Sequence, residues 1–184
     1  MENLSQHIRN TTSISDAHLE IVLNQFVEKR YAKKEHLQNA YEPANELFLV
    51  IQGCLRTYIN DYNGVEHNIT FSIDIWWAGD MPSFLTYLSS VYGIQALEET
   101  TVLSISKKGW DLLHQNVPAF VKHTRILFRN NMFSQQNRIV QNLSYTAMER
   151  YDSFIENYPE QFQRISQKHL ASYLGITPEF LSMI

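Results

Sequence analysis

The segment with the clearest chemical pattern is at the end of the chain, where residues 165–184 read ISQKHLASYLGITPEFLSMI. Ser166 can cap a helix that Gly175 would end, and Thr177 can cap a second helix directly after it. The small side chain of Ala171, four residues before the glycine, allows the two helices to approach closely. This combination predicts a helix-turn-helix, a motif whose second helix enters the major groove of DNA.

The polar groups near the two predicted helix starts are candidates for DNA contact. Hydroxyls and backbone amides at these positions bind phosphates, whereas side chains of the second helix read base edges. Glu179 could accept a hydrogen bond from cytosine, but an acidic residue in a first helical turn is equally expected from the helix dipole. The candidate DNA-contacting residues are Ser166, Gln167, Lys168, Thr177, Pro178, Glu179, Ser182 and Met183.

Charge is distributed unevenly along the chain. Residues 1–117 contain 8 Lys/Arg and 14 Asp/Glu, a net charge of −6, whereas residues 118–184 contain 7 and 5, a net charge of +2. An acidic front and a mildly basic rear are consistent with a sensor joined to a polyanion-binding part. A charge of +2 is a weak field, however, and chance gives the same asymmetry.

The front part of the chain has the texture of a β structure. Residues 33–106 contain short segments rich in Val, Ile, Thr, Tyr and Phe, separated by turn residues. Asn63-Gly64 is the strongest hairpin signal, because both residues accept positive φ. Regular short strands without long intervening helices predict an antiparallel sandwich or barrel.

Helical periodicity is present on both sides of these strands. Residues 15–30 predict an opening helix, residues 108–115 a short helix and residues 117–143 a long one. A capping-box pattern at residues 146–149 predicts the start of a further helix. Within the long helix a heptad seam is formed by Ile126, Phe133 and Val140. This seam predicts pairing with a second copy of the helix, or packing against the barrel of the same chain, and the two are compatible.

Two stretches, EPANELFLVIQGCLRTY and ITF…WWAGDMPSFL, precede the QKHLASYLGITPE segment. In this order they resemble the Crp–Fnr family of bacterial transcription regulators over nearly the whole chain, in a branch common in Bacteroidetes-like sequences. The resemblance implies an α+β protein with an N-terminal antiparallel β-roll, which is a jelly roll of the cyclic-nucleotide-binding-domain type. It further implies a long dimerisation helix, a C-terminal all-α helix-turn-helix of the winged-helix type, and double-stranded palindromic DNA as partner.

The resemblance also divides the chain into three parts. Residues 1–117 form the predicted sensor domain with its N-terminal helix, residues 118–145 the connecting and dimerisation helix, and residues 146–184 the helix-turn-helix domain. Because few residues of the second helix precede Ile184, we expect this last domain to be incomplete at that residue and to continue beyond it.

The effector pocket is the part where the resemblance weakens. In cyclic-AMP-binding members a Gly-Glu pair after a Gly-Asp turn holds the ribose, and an Arg-Ser pair neutralises the phosphate. The corresponding pairs are Ser-Phe and Ser-Val in this chain, and a buried phosphate without a cation is costly. We therefore predict a diverged pocket that does not bind cyclic AMP tightly. The candidate effector-pocket residues are Gly79, Asp80, Ser83, Phe84, Ser90 and Val91.

Other chemistries find little support. The single cysteine, Cys54, excludes an internal disulfide and an iron–sulfur cluster held by several cysteines, and the seven histidines lack metal-ligand spacing, so neither metal nor cofactor is predicted. Trp76 and Trp77 could line an apolar pocket, although strand alternation would equally place one in the core and one at the surface. His123 could lie near the pocket or the dimer seam, or simply pack. No nucleophile elbow, phosphate loop or paired carboxylates suggest an enzyme.

These observations predict a cytoplasmic, homodimeric, DNA-binding transcription regulator. It either binds an unknown small-molecule effector or has no effector. The longest apolar runs are far shorter than the roughly 20 residues that cross a bilayer, and the N-terminus lacks the layout of a signal peptide. The alternative is a small-molecule-binding β-roll module whose helix-turn-helix is vestigial. DNA affinity that falls steeply with salt would separate the first reading from the second.

Overall fold

Eight strands form two antiparallel sheets in the computed structural model, which describes residues 1–183. The strands are β1 (Phe26–Tyr31), β2 (His36–Gln38), β3 (Glu46–Gln52), β4 (Leu55–Asn60), β5 (Glu66–Ser72), β6 (Trp77–Ala78), β7 (Tyr92–Ala96) and β8 (Thr100–Ser106). One sheet has the order β1-β8-β3-β6 and the other β2-β7-β4-β5. Ile184, the last residue of the predicted C-terminal domain, lies outside the described residues.

The two sheets pack face to face around an apolar core. Phe48, Val50 and Val102 from the first sheet meet Leu55 and Ile94 from the second, and all five are buried. These residues share one side of their strands, because alternate side chains of a strand point to opposite faces. The predicted antiparallel β-roll is therefore confirmed.

A tight turn joins β4 to β5 at the predicted hairpin. The Asp61 carboxylate accepts hydrogen bonds from the backbone N–H groups of Asn63 and Val65, each at 2.9 Å. Gly64 has a φ of +76°, whereas Asn63 is not among the residues with positive φ. The predicted hairpin is confirmed, and one left-handed residue is enough for the turn because the Asp61 carboxylate holds it.

Helices precede and follow the strands of the β-roll in the chain, and one short helix lies between β6 and β7. They are α1 (Glu2–Thr11), α2 (Asp16–Leu23), α3 (Met81–Thr86), α4 (Lys107–Asn116), α5 (Pro118–Ser144), α6 (Ala147–Asn157), α7 (Pro159–Arg164), α8 (Gln167–Leu174) and α9 (Pro178–Leu181). The predicted short and long helices correspond to α4 and α5. The capping box that starts α6 is present, with Thr146 and Glu149 bonded to each other's backbone N–H.

The predicted opening helix over residues 15–30 is wrong in its second half. The helix ends at Leu23, and residues 26–31 form β1 instead. All six residues of β1 pair with β8, from Phe26 opposite Ile105 to Tyr31 opposite Thr100. Residues 26–31 therefore form a strand, because pairing with β8 along the whole segment outweighs the helical spacing between Phe26 and the apolar residues before it.

A second apolar core lies under the helices and contains a buried histidine. Leu4 and Ile8 of α1 belong to the same cluster as Trp110 and Phe120, which come from α4 and α5. His123 of α5 is fully buried, and its Nδ1 lies 2.5 Å from the Thr11 hydroxyl of α1. Burial and the neighbouring His7 lower the pKa of His123 to about 4. His123 therefore takes the packing role among those considered from the sequence.

This depressed pKa predicts a loss of stability in acid. The folded protein disfavours protonated His123. Neutral His123 therefore makes its full contribution to the free energy of unfolding above pH 6.5, the ordinary pKa of histidine, and this contribution is lost as the pH falls towards 4. Between pH 7.5 and 5.0 the loss amounts to about 2 kcal/mol. Urea unfolding at both pH values should show a smaller pH dependence in His123→Leu than in the wild type. The exposed-site control His36→Gln should keep the wild-type dependence, and an equal dependence in all three proteins would contradict the assignment.

Candidate nucleic-acid interface and effector pocket

The C-terminal helices adopt the geometry predicted for a helix-turn-helix. The Ser166 hydroxyl accepts a hydrogen bond from the His169 N–H at 3.3 Å and so caps α8. Gly175 ends α8 in the left-handed conformation, with a φ of +69° that a side chain would disfavour. The Thr177 hydroxyl then accepts from the Phe180 N–H at 3.2 Å and caps α9.

The residues with candidate roles in DNA contact are all at the surface. Each of the eight, from Ser166 to Met183, is exposed. By contrast, Leu170, Ala171 and Leu174 on α8 and Leu181 on α9 are buried in one apolar cluster. The motif therefore has a buried side that holds the two helices together and an exposed side that carries the candidate residues.

Helix α8 docks directly onto strand β5 of the β-roll. The Asn68 backbone N–H donates to the Ser172 hydroxyl at 3.0 Å, and that hydroxyl donates to the Glu66 carbonyl at 3.1 Å. The Asn68 side-chain amide donates to the His169 carbonyl at 3.0 Å. Phe71 of β5 joins the apolar cluster of the C-terminal helices. Strand β5 therefore contributes a side chain to the apolar core of the helix-turn-helix.

Arg138 of α5 fastens this docked pair. Its guanidinium donates to the carbonyls of Asn68 at 3.2 Å and Tyr173 at 3.0 Å, and also to that of Ile69. It lies 4.0 Å from the centroid of the Tyr173 ring, in cation–π geometry. Burial lowers the pKa of Arg138. One side chain therefore links α5, β5 and α8.

Sequence reasoning missed the docking residues. Arg138 occupies a helix with charged and polar neighbours, and Asn68 lies in a strand with no motif of its own. Arg164 of α7 adds a further link, because it forms ion pairs with Glu98 and, at 3.3 Å, with Asp74. These contacts join residues about 35 to 105 positions apart in the chain, so no local pattern signals them.

The candidate effector-pocket residues are mostly bonded to one another and to nearby backbone. The Ser83 hydroxyl accepts from the Ala44 N–H at 2.9 Å and donates to the Leu88 carbonyl. The Asp80 carboxylate accepts from the Ser83 N–H at 3.3 Å and caps α3, which follows the Gly79-Asp80 turn. These polar groups are therefore satisfied by the protein itself.

The remaining candidate pocket residues lie in different surroundings. Phe84 is fully buried and packs edge-to-face on Trp110, with 5.9 Å between ring centroids. Ser90 is 1% exposed, and its hydroxyl accepts from the Tyr92 N–H at 3.0 Å, whereas Val91 is 53% exposed. The structure thus brings Gly79, Asp80, Ser83 and Phe84 together around α3 and places Val91 at the surface.

The two neighbouring tryptophans divide between core and surface, which is the arrangement expected from strand alternation. Trp77 packs against Phe26 and Trp110, with ring centroids 6.0 Å and 6.3 Å apart. Trp76 is 40% exposed and meets the ring of Tyr158, which lies between α6 and α7. The two rings therefore do not line one apolar pocket together.

The long helix α5 is buried only near its start. Phe120, His123 and Thr124 are buried against the rest of the chain. Of the predicted seam residues, Ile126 is half-buried, whereas Phe133 and Val140 are 50% and 57% exposed. Further exposed apolar side chains of this helix are Phe128, Met132, Ile139 and Leu143. The second half of α5 therefore presents apolar surface that the described residues leave uncovered.

Solved structures of bacterial regulators share this fold. The c-di-GMP responsive global regulator CLP of Xanthomonas campestris has a TM-score of 0.76, at 14% identity over 92% of this chain and 89% of that chain. FixK2 from Bradyrhizobium japonicum has a TM-score of 0.70, at 21% identity over 86% and 81%. The Thermus thermophilus catabolite activator protein has a TM-score of 0.62, at 18% identity over 93% and 82%. The architecture is that of the Crp–Fnr regulators.

Comparison of sequences leads to the same class. Residues 28–116 match the family profile of the cyclic nucleotide-binding domain. The anaerobic regulatory protein of Pasteurella multocida (strain Pm70) is 24% identical over 169 residues, which is 85% of this chain and 60% of that relative's length. The chain is thus similar to Crp–Fnr regulators in sequence and in fold, as the resemblance predicts, while its assignment to a Bacteroidetes-type branch stays a prediction.

Two further features concern membranes and metals. Within residues 1–183 no helix combines the length and the apolar character needed to cross a bilayer. In the same range, no three or more His, Cys, Asp or Glu side chains group in a way that could hold a metal ion.

The role assigned to Arg138 predicts the effect of removing its guanidinium. Arg138→Leu deprives three backbone carbonyls of a charged donor, so the free energy of unfolding should fall by about 3 kcal/mol. Hydrogen exchange should become faster in α8 and β5. Arg129→Leu, at an exposed position on the same helix, is the matched control and should change neither quantity. Equal protection from hydrogen exchange in both variants would show that the Arg138 guanidinium does not hold α8 on β5.

Proposed function

We propose that this chain is a DNA-binding transcription regulator of the Crp–Fnr type, and not an enzyme. The observation that carries the proposal is the helix-turn-helix geometry with its eight candidate residues exposed on the side away from the core. Ser166, Lys168 and Thr177 bind phosphates in this proposal, and Glu179 and Ser182 face base edges. The division into a sensor over residues 1–117, a connecting helix and a DNA-binding domain from residue 146 belongs to the same proposal.

The effector pocket of the β-roll is diverged and does not bind cyclic AMP tightly. Three observations support this. None of its six candidate residues is cationic, the Ser83 and Ser90 hydroxyls already have partners, and Phe84 fills the space beside Trp110. A cyclic phosphate would therefore lose hydration without gaining a counter-ion.

The regulator acts in the cytoplasm as a homodimer in this proposal. Support comes from the apolar side chains exposed along α5, since a contiguous apolar strip on a monomer commonly marks an interface. A two-fold dimer would bind two half-sites about one helical turn apart, roughly 34–36 Å.

The DNA-binding proposal predicts a salt-dependent affinity that is sensitive to one lysine. Binding of the chain to a random-sequence duplex should weaken linearly in log–log form as salt increases, because phosphate contacts release counter-ions. Lys168→Gln should lower that slope by about one unit, whereas Lys108→Gln, an exposed lysine on α4, should leave it unchanged. The quantity to measure is fluorescence anisotropy between 50 and 200 mM salt.

The absence of measurable DNA affinity over this range of salt would favour the other candidate function. That function is a small-molecule-binding β-roll module with a vestigial helix-turn-helix. Selection of binding sites from a random pool would separate the two further. The proposed regulator should enrich palindromic sites, whereas a vestigial motif should enrich none.

The dimer proposal predicts that a single charge on α5 produces a monomer. Val140→Glu places a carboxylate on the seam, and its desolvation in a dimer would be unfavourable. Asn131→Glu, which adds the same charge on another side of the same helix, should leave the dimer intact. Multi-angle light scattering reports the mass directly. If Val140→Glu remains dimeric at micromolar concentration, the seam is not the interface.

A further inference from the structure

A cavity of about 350 Å³ lies between α5 and the C-terminal helices. Its walls come from three elements: Asn137 and Arg138 from α5, Arg150 and Ser153 from α6, and Tyr173 from α8. This volume is within the range of small-molecule sites in proteins. The cavity is separate from the candidate effector pocket of the β-roll and from the exposed side of the helix-turn-helix.

The charge balance of this cavity is unusual for the chain. Four arginines are buried or half-buried, and two of them, Arg56 and Arg164, form ion pairs with carboxylates. The other two, Arg138 and Arg150, both line the cavity, and within residues 1–183 neither lies within 4.0 Å of a carboxylate. The cavity lining itself includes no Asp or Glu. Two cations therefore face one space without a counter-ion from the described chain.

The hydrogen bonds of these arginines leave donors over. Arg138 uses its two terminal nitrogens for backbone carbonyls, but its Nε is buried and has no acceptor among the described residues. Arg150 donates from Nε to the Leu174 carbonyl at 3.2 Å and from Nη1 to the Tyr145 carbonyl at 2.8 Å. The Arg150 Nη2 has no acceptor among the described residues, and two cations without a counter-ion are unfavourable, so a ligand that supplies an oxyanion would pair with Arg150 and neutralise charge in the cavity.

We propose that this cavity binds a small organic oxyanion. Arg138 and Arg150 hold the anionic group, and the amide and hydroxyl groups of Asn137, Gln141 and Ser153 bind the polar body of the ligand. The ring of Phe133 provides an apolar edge. Because the two arginines belong to α5 and α6, a bound anion bridges the long helix and the C-terminal helices. The proposal does not depend on DNA binding, which is measured independently.

The test is calorimetric titration of the full chain at constant ionic strength with four probes: inorganic phosphate, ribose 5-phosphate, citrate and benzoate. Sodium chloride serves as the reference salt, so that general screening is the same throughout. We expect saturable binding of at least one probe. Binding of phosphate and ribose 5-phosphate alone assigns a phosphate ligand, whereas binding of citrate or benzoate alone assigns a carboxylate.

Three variants locate the site. Arg150→Gln removes one cation and should weaken binding by about tenfold or more. Asn137→Trp keeps both cations but fills the cavity and should abolish binding, which provides a second test if the first variant folds poorly. Arg129→Gln removes an exposed arginine of α5 outside the cavity and should bind as the wild type does.

Two results would overturn the proposal. One is the absence of saturable binding by all four probes, inorganic phosphate included. The other is binding that persists unchanged in both Arg150→Gln and Asn137→Trp, because the anion would then bind elsewhere. Neither result affects the salt-dependent DNA affinity, so this proposal and the proposed function fail separately.

Discussion

One buried guanidinium, that of Arg138, joins the long helix, the β-roll and the C-terminal helices. The apolar cluster around Phe71, Phe154 and Leu174 supplies buried area, but apolar burial has no preferred direction and does not by itself fix how a helix lies on a strand. The planar fork of Arg138 reaches carbonyls of β5 and α8 together, and charged donors form the stronger hydrogen bonds. The polar contact therefore sets the register, and the apolar contact stabilises it.

The sequence predicts the local features of the fold well, for a physical reason. Helix caps and turns are determined by a few adjacent residues, so Ser166, Gly175 and Thr177 indicate the helix-turn-helix directly. Strand β1 was mistaken for helix because its state is decided by pairing with β8, about 75 positions further on. Helix α1 was missed since only Leu4 and Ile8 of its residues are buried, which is too few for a periodic signal.

The same distinction separates the exposed candidate residues from the contacts that position them. The residues proposed for DNA contact lie in one continuous motif and are found by reading it. Their orientation depends on Asn68, Ser172 and Arg138, which come from three parts of the chain. Spacing in a single sequence carries no information about such a triple contact. Divergence of the β-roll pocket is a prediction from residue types, whereas the bonding of the Ser83 hydroxyl to Ala44 and Leu88 is seen only in the structure.

Helix α5 connects these features because different sides of one rigid element serve each of them. Val140 and Arg138 are two residues apart and therefore project about 200° apart around the axis. One side presents exposed apolar residues and another carries Arg138, which binds β5 and α8, and the cavity lies between them because its lining includes both Phe133 and Arg138. A helix of 27 residues is about 40 Å long, so residues at its two ends contact different parts of the chain. Pairing of two copies through the apolar side would thus hold α5 in place. Arg138, and an anion bound beside it, would then join this helix to the C-terminal helices. Control of the surface that we propose for DNA contact then need not pass through the interior of the β-roll, where side chains of the chain itself pack.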